Sequence, residues 1–230
     1  MTRVALAGLL GRKLRTVLTA IAIVLGVAMV TGTFVLTDSI DKAFNSIFTD
    51  VRKGSDIVVS GKAATSTNNG STAPTLPASL LDEVRQLPAI AEAEGQVNGE
   101  AHLIGHNGKA IAFGGAPNLG FSIANGASRF NPLTLVAGAW PHGNQVVIDS
   151  STASKKHFAV GQDVGVQSAG PIVRLRISGL VKFGGQSLGG ATLAGFDIPT
   201  AQRLFDKTNR FDEIAIATKA GVSSTSRRMM

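Results

Sequence analysis

From residue 17 to residue 36 the chain reads VLTAIAIVLGVAMVTGTFVL, an uncharged run that Thr16 and Thr37 extend at either end. At ~1.5 Å per residue, a helix of that length covers ~30 Å, the thickness of a bilayer's hydrocarbon core, and a helix satisfies its own backbone polar groups there. The pattern predicts a transmembrane helix over 17–36. Within it, Ala22, Gly26, Ala28 and Gly32 are small residues at spacings of four, 22 to 26 and 28 to 32. Such positions let a second helix approach closely, although small residues are also common in membrane helices generally. A cleaved signal peptide is the competing reading of a basic start followed by an apolar stretch. The run exceeds the ~7–15 residues of a signal-peptide apolar region, and no clear A-x-A site precedes Thr37, which favours a retained anchor.

Past the span the period becomes amphipathic. Ile40, Ala43, Phe44, Ile47, Phe48 and Val51 form one helical stripe, while Asp38, Asp41, Lys42, Asn45, Asp50 and Arg52 occupy the other face. No Pro or Gly lies between Thr33 and Lys53. One uninterrupted helix is therefore expected to continue as a stalk over 37–53; a loop at Thr37-Asp38-Ser39 would instead leave a separate helix on the membrane surface. Gly54 ends the stalk, and DIVVS (56–60) reads as a short buried strand. Residues 61–77 form a Ser/Thr/Asn/Gly/Pro loop expected to be mobile. The next helix has Leu80, Leu81, Val84 and Leu87 as its inner face, a cap from Ser79 with Asp82 or Glu83, and Pro88 as its stop.

Beyond that helix the pattern is mostly β. AHLIGHNGKAIAF carries Asn107-Gly108 between two apolar runs, a hairpin signal whose two central residues would both need positive φ. Further strands are QVVID (145–149), VGVQ (164–167) and VRLRISGLVKF (173–183); in the last, Val173, Leu175 and Ile177 face inward and Arg174 and Arg176 face water. Asp197-Ile198-Pro199 opens a helix to about Phe205, and DEIAIAT (212–218) returns as an alternating strand. The fold class is α+β: an N-terminal transmembrane helix extended into an extracytoplasmic mixed α/β domain with a β-rich middle. The expected organisation is a basic segment (1–16), the span (17–36), the stalk (37–53), a core domain (54–222) and a polar tail (223–230).

Charge gives the span a direction. Arg12, Lys13 and Arg15 precede it, while the other flank opens with Asp38 and Asp41, so the positive-inside rule leaves the N-terminus cytoplasmic and the rest outside a cell membrane crossed once. Val4, Leu6, Leu9, Leu10 and Leu14 could form a short amphipathic helix on the cytoplasmic surface. The net charge of +7 includes four early basic residues, Arg3 among them, and the remainder is spread thinly without a stripe interleaved with aromatics. That distribution argues against a nucleic-acid partner. With no cysteine, neither disulfides nor thiolate metal sites are possible.

One string invites an enzymatic reading. GGQSLGG (184–190) contains GQSLG, which fits the G-x-S-x-G nucleophile elbow at Ser187. The following GGATLAGF is too short and glycine-rich for the supporting helix, and no histidine occurs after His157. Gly184, Gly185, Gly189 and Gly190 are read instead as a mobile loop, and no catalytic residue is assigned. His102, His106, His142 and His157 lack H-E-x-x-H or carboxylates at ligand spacing, so no metal site is expected. Gly61-Lys62 and Gly108-Lys109 are each followed by alanine where a phosphate loop needs Ser or Thr, and no cofactor is expected.

The ordered set RKLRT, TDSIDKAFNSIFTD, DIVVS, LLDEVRQLPAI, PLTLVAGAWPHGNQVVID, FAVGQDVGV, FDIPTAQRLFD and DEIAIAT resembles the N-terminal part of an ABC transporter permease of the MacB/FtsX type, over positions 1 to about 222. The resemblance implies a first transmembrane helix followed by a MacB-like periplasmic core domain. It further implies a four-helix permease that dimerises, pairs with an ATPase, and couples cytoplasmic ATP hydrolysis to movement of the outer domain. Expected partners are the lipid bilayer, an ABC ATPase subunit and further permease copies, met through the small-residue face of the helix. The family pattern has three or more later membrane helices, whereas the sequence ends at SSTSRRMM, so a truncated permease, or a product whose ending has diverged, is expected. The alternative function is an anchored extracytoplasmic binding or sensor domain without an ATPase.

Overall fold

The computed structural model describes residues 13–52, 54–62, 73–113, 116–124, 126–183 and 190–220, and the chain divides into two units, Met1–Ser46 and Ile47–Met230. Helix α1 runs Lys13–Arg52, forty residues without a break at Thr37-Asp38-Ser39. Within its apolar part the Thr19 hydroxyl donates to the Arg15 carbonyl and the Thr33 hydroxyl to the Met29 carbonyl, each at 2.9 Å. These hydroxyls are satisfied inside their own helix, which a lipid-exposed segment requires.

In the second unit the chain runs β1 (Ile57–Ser60), β2 (Leu76–Pro77), α2 (Ala78–Arg85), β3 (Ile90–Gln96), β4 (Asn98–Glu100), β5 (His102–Ile104), β6 (Asn118–Ile123), β7 (Leu133–Gly138), β8 (Gln145–Asp149), α3 (Ser150–Lys156), β9 (Asp163–Gln167), β10 (Val173–Phe183), β11 (Thr192–Asp197), α4 (Ile198–Leu204), β12 (Arg210–Phe211) and β13 (Glu213–Thr218). The large sheet is ordered β4-β6-β11-β8-β10-β9-β5, with β7 also paired to β10. Only Ala101 separates β4 from β5, and its N–H donates to the Asn118 carbonyl at 3.1 Å. The two ends of the path are thus consecutive pieces of one chain, so the path returns on itself, with β7 as a branch beside β10. Leu103, Val146, Ile148, Val166, Leu175, Ile177 and Phe196 are buried in one core cluster. Arg174 and Arg176 are exposed, as the alternation of β10 requires.

Helix α4 is capped by the Asp197 carboxylate, which accepts from the Thr200 N–H at 3.1 Å. Phe205, which follows this helix, lays its ring over Gly99 and Gly120, a register pair between β4 and β6. A Cβ at either glycine would collide with the ring, so these two positions admit the aromatic only as glycine.

The smaller sheet is ordered β1-β13-β3. Two expectations need correction here. Strand β13 does not alternate: Ile214 to Ala217 are all buried, with Ile214 and Ile216 in the main core and Ala215 and Ala217 against Phe130. A central strand covered on both faces gives a continuous apolar run. Strand β1 is an edge rather than a buried strand, with Ile57 40% exposed. The Asp56 carboxylate holds it by accepting from the Thr218 N–H at 2.8 Å, a bond that leads the causes lowering its pKa.

Helix α2 also departs from expectation. Pro77 precedes it and no side chain caps it; Ser79 is exposed, and the Ala78 N–H donates to the Asn209 carbonyl at 2.9 Å. The β2–β12 pairing, Pro77 opposite Arg210, delivers the chain into the helix by a tertiary contact in place of a local cap. The helix ends at Arg85, before Pro88, leaving Leu87 53% exposed; Leu81 and Val84 are the buried face. At the Asn107-Gly108 turn, Gly108 alone has positive φ (74°), and its N–H donates to the Gly105 carbonyl at 2.9 Å. The returning arm makes a single bridge, Ile104 to Ala110, because the ladder partner of β5 is the distant β9.

Candidate functional site

Residues Val17–Val35 have a mean hydropathy of 2.3 and form a candidate membrane span by length and composition. Leu18, Leu25, Met29 and Phe34 are each more than half exposed. A helix apolar all round fits a lipid surroundings rather than one face of a soluble core. Arg15, Ala22, Gly26, Ala28 and Gly32 are exposed as well, and a Cβ at Gly26 or Gly32 would meet nothing within 4 Å. At ~100° per residue, Ala22 and Gly26 share one face while Ala28 and Gly32 share another ~240° round the helix. The small residues therefore offer two faces instead of the single one expected.

Other predicted positions lie outside what is described. Lys13 and the stalk residues Ile40, Ala43, Phe44, Ile47, Phe48 and Val51 belong to α1, but their side chains are outside the described residues. Also outside are Val4, Leu6, Leu9, Leu10, Arg12, Gly184, Gly185, Ser187, Gly189, residues 63–72 of the expected loop and residues 221–230. Gly190 is described, with φ of 98°. The histidines are not brought together: His102 Nε2 lies 3.3 Å from the Glu100 carboxylate, while the His106 ring packs on Phe158 at 4.5 Å between centroids. Among the described residues no group of three or more His, Asp or Glu could hold a metal.

A cleft that the sequence reading missed lies between β3, β4 and β6 and the segment 130–133. Glu94, Gln96 and Asn98 form one wall, and Phe121, Ile123, Phe130 and Leu133 the apolar remainder. Alternation along β3 and onward turns residues 94, 96 and 98 to the same side. The Ser128 hydroxyl donates to Glu94 Oε2 at 2.6 Å, and Ser128 Oγ accepts from the Phe130 N–H at 3.2 Å. Asn131 braces the same segment by donating to the Gly126 carbonyl at 3.3 Å and accepting from the Leu133 N–H at 3.1 Å. The ring of Trp140, the only tryptophan of the chain, lies against Gly126 where a Cβ would clash. In the sequence, IAEAEGQ places a glutamate in an alternating strand, but its partner Ser128 is 34 residues away and invisible to local patterns.

Burial pushes the Glu94 carboxyl above the usual carboxylate range; the Ser128 hydroxyl and nearby Arg85 pull it back, and Glu92 adds to the rise. A raised folded-state pKa gives a stability contribution that is full below the unfolded value of ~4.3 and lost as pH rises through the folded value. Glu94→Gln, which stays neutral, is therefore expected to raise the melting temperature near neutral pH and to leave it unchanged in acid, where the parent carboxyl is protonated. Thermal melts of both proteins across that range check this.

A sequence search of curated proteins returned no match. Among solved structures, the periplasmic region of MacB from Actinobacillus actinomycetemcomitans is similar at TM-score 0.54 and 16% identity, over 78% of this chain and 83% of that one. The extracellular domain of the noncanonic ABC-type transporter YknZ from Gram-positive bacteria is similar at TM-score 0.51 and 10% identity, over 71% and 83% of the two chains. At these identities the likeness is one of fold: an N-terminal apolar helix here precedes a mixed α/β domain of the kind found in periplasmic regions of such transporters. The family of the MacB-like periplasmic core domain matches residues 16–227, and the chain belongs to that family.

Proposed function

We infer that this chain is a non-catalytic membrane component of an ABC transporter permease, anchored once in the cell membrane with its N-terminus in the cytoplasm and its core domain outside. In this reading the core domain is coupled mechanically to ATP hydrolysis by a cytoplasmic ATPase subunit, in export or another cell-envelope process. The observation that carries it is the single helix Lys13–Arg52, in which the apolar segment continues into the amphipathic stalk without a break, in a chain of this family. An element with no break cannot absorb displacement at its base, so motion at one end is delivered at the other. Family membership supports the ATPase partner and further permease copies, and Ala22/Gly26 and Ala28/Gly32 supply close-approach positions for neighbouring helices on two sides. Arg12, Lys13 and Arg15 set the direction of crossing.

The double substitution Ala43→Gly with Phe44→Gly tests the coupling. The glycines cost up to ~1 kcal/mol each in helix stability and loosen the backbone within the stalk. In the assembled transporter, substrate movement is expected to fall severalfold while ATP hydrolysis persists. Unchanged transport per ATP would reject mechanical transmission through this helix.

A further inference from the structure

We propose that Asn107 is a site of spontaneous covalent modification: attack by the Gly108 backbone nitrogen converts its amide to aspartate and isoaspartate while the chain is folded. The sequence has four Asn-Gly pairs, at 69–70, 98–99, 107–108 and 125–126. Two of them, 98–99 and 107–108, lie wholly within the described residues, and the fold treats them oppositely. Asn107 and Gly108 are both exposed at the tip of a hairpin, and the place where a Cβ of Gly108 would stand is empty. With no side chain on the following residue, the backbone nitrogen can approach the Asn107 amide carbon closely. The Lys109 N–H donates to Asn107 Oδ1 at 3.1 Å, and that oxygen is the one that gains negative charge when Cγ is attacked. The nucleophile is restrained by the bond from the Gly108 N–H to the Gly105 carbonyl at 2.9 Å, in a hairpin whose arms meet at a single bridge, Ile104 to Ala110. So small a unit opens at low cost. Asn98-Gly99 is held far more tightly. The Asn98 N–H donates to Asp212 Oδ2 at 2.8 Å, its Nδ2 to Glu213 Oε1 at 3.3 Å, and its carbonyl accepts from Lys207 Nζ at 2.7 Å. Gly99 pairs with Gly120 beneath the Phe205 ring, so ring closure there requires opening the sheet.

The chemistry needs no reagent but water. The Gly108 nitrogen gives its proton to solvent and bonds to Asn107 Cγ; the Cγ–Nδ2 bond breaks, Nδ2 leaves as ammonia, and a cyclic succinimide remains. Water then adds to either imide carbonyl. Cleavage of the Cγ–N bond gives aspartate, and cleavage of the original backbone C–N bond gives isoaspartate. Both products place a carboxylate beside Lys109. Isoaspartate also lengthens the main chain by a methylene at the turn, which breaks the pairing of Gly105 with Lys109. The inference is independent of the transporter reading, since it concerns the hairpin alone.

The test holds the full chain at physiological temperature and mildly alkaline pH, folded in detergent micelles or unfolded in guanidinium chloride. Samples taken over weeks are read by peptide mapping, with fragmentation that separates aspartate from isoaspartate. In the folded chain, conversion at 107 is expected to exceed that at 98 by about tenfold or more, the difference between opening a turn and opening a sheet. In denaturant the two positions, each an asparagine followed by glycine, should convert at similar rates. Conversion at 98 that keeps pace with 107 in the folded chain would overturn the proposal, as would a folded position 107 that stays amidated while the unfolded chain converts. An equal preference for 107 in denaturant would overturn it too, because neighbouring sequence rather than the fold would then set the rate.

Discussion

Phe196→Ala is expected to lower the unfolding free energy of the core domain by about 3–5 kcal/mol, the range for truncating a buried aromatic. Phe196 lies on β11, which pairs with β6 on one side and β8 on the other, and its side chain is completely buried. Its ring meets that of Phe205 edge-on, with centroids 6.0 Å apart and planes at 74°. Phe205 is itself seated on the Gly99–Gly120 pair and cannot follow the missing ring without leaving that seat. The cavity therefore persists at the junction of the large sheet and α4, and a residual cavity is what makes such substitutions costly. Urea unfolding of the full chain, followed by Trp140 emission, should show a lowered midpoint with an unchanged slope. Phe196→Leu, which keeps most of the volume, is expected to lose less than half as much.

Asp149→Ala is the second large effect, expected at about 3–4 kcal/mol from two lost acceptors. Asp149 is buried, and its two carboxylate oxygens serve different elements. Oδ1 accepts from the Thr152 N–H at 2.7 Å and caps α3; Oδ2 accepts from the Leu193 N–H at 3.2 Å and ties the end of β8 to β11. Alanine leaves both buried N–H groups without their acceptor, and such unsatisfied donors retain the full cost of having lost water. Asp149→Asn keeps one acceptor oxygen and should recover about half the loss, provided that oxygen faces Thr152. The same urea titration resolves the two variants, and equal loss from alanine and asparagine would show that the charge rather than the geometry matters.

Elements with strong local signals were legible in the sequence. The apolar run and the stalk without glycine or proline appear as one helix, Lys13–Arg52; the alternation of VRLRISGLVKF appears as β10; Asp197 before Ile198-Pro199 caps α4. What escaped local reading was decided by distant partners. Strand β3 (IAEAEGQ) has weak β propensity and forms because β13 pairs with it over six positions. Helix α3 (SSTASKK) is short and polar, and exists because Asp149 caps it and Thr152 and Ala153 are buried beneath it. Strand β6 (NLGFSI) contains a glycine that would argue against a strand until Phe205 is seen to occupy its place.

The candidate functional residues divide in the same way. The span and its flanking charges are patterns contiguous in sequence, so composition alone points to them. The cleft around Glu94 depends on Ser128, Trp140 and the 130–133 segment meeting β3 through the fold, and no spacing rule brings those positions together. The small residues of α1 show the converse limit: their spacings of four were visible, but the two pairs face different directions once the helix is continuous.

The central claim is that α1 crosses the membrane and leaves the core domain on the side opposite the N-terminus. The sequence has no cysteine, so a single introduced thiol reports its own location. With Thr2→Cys and, separately, the exposed Ser154→Cys, intact cells are treated with a membrane-impermeant maleimide before and after lysis. Labelling at position 154 in intact cells, with position 2 labelled only after lysis, is the predicted result; labelling of both positions only after lysis, or of position 2 alone in intact cells, would contradict it.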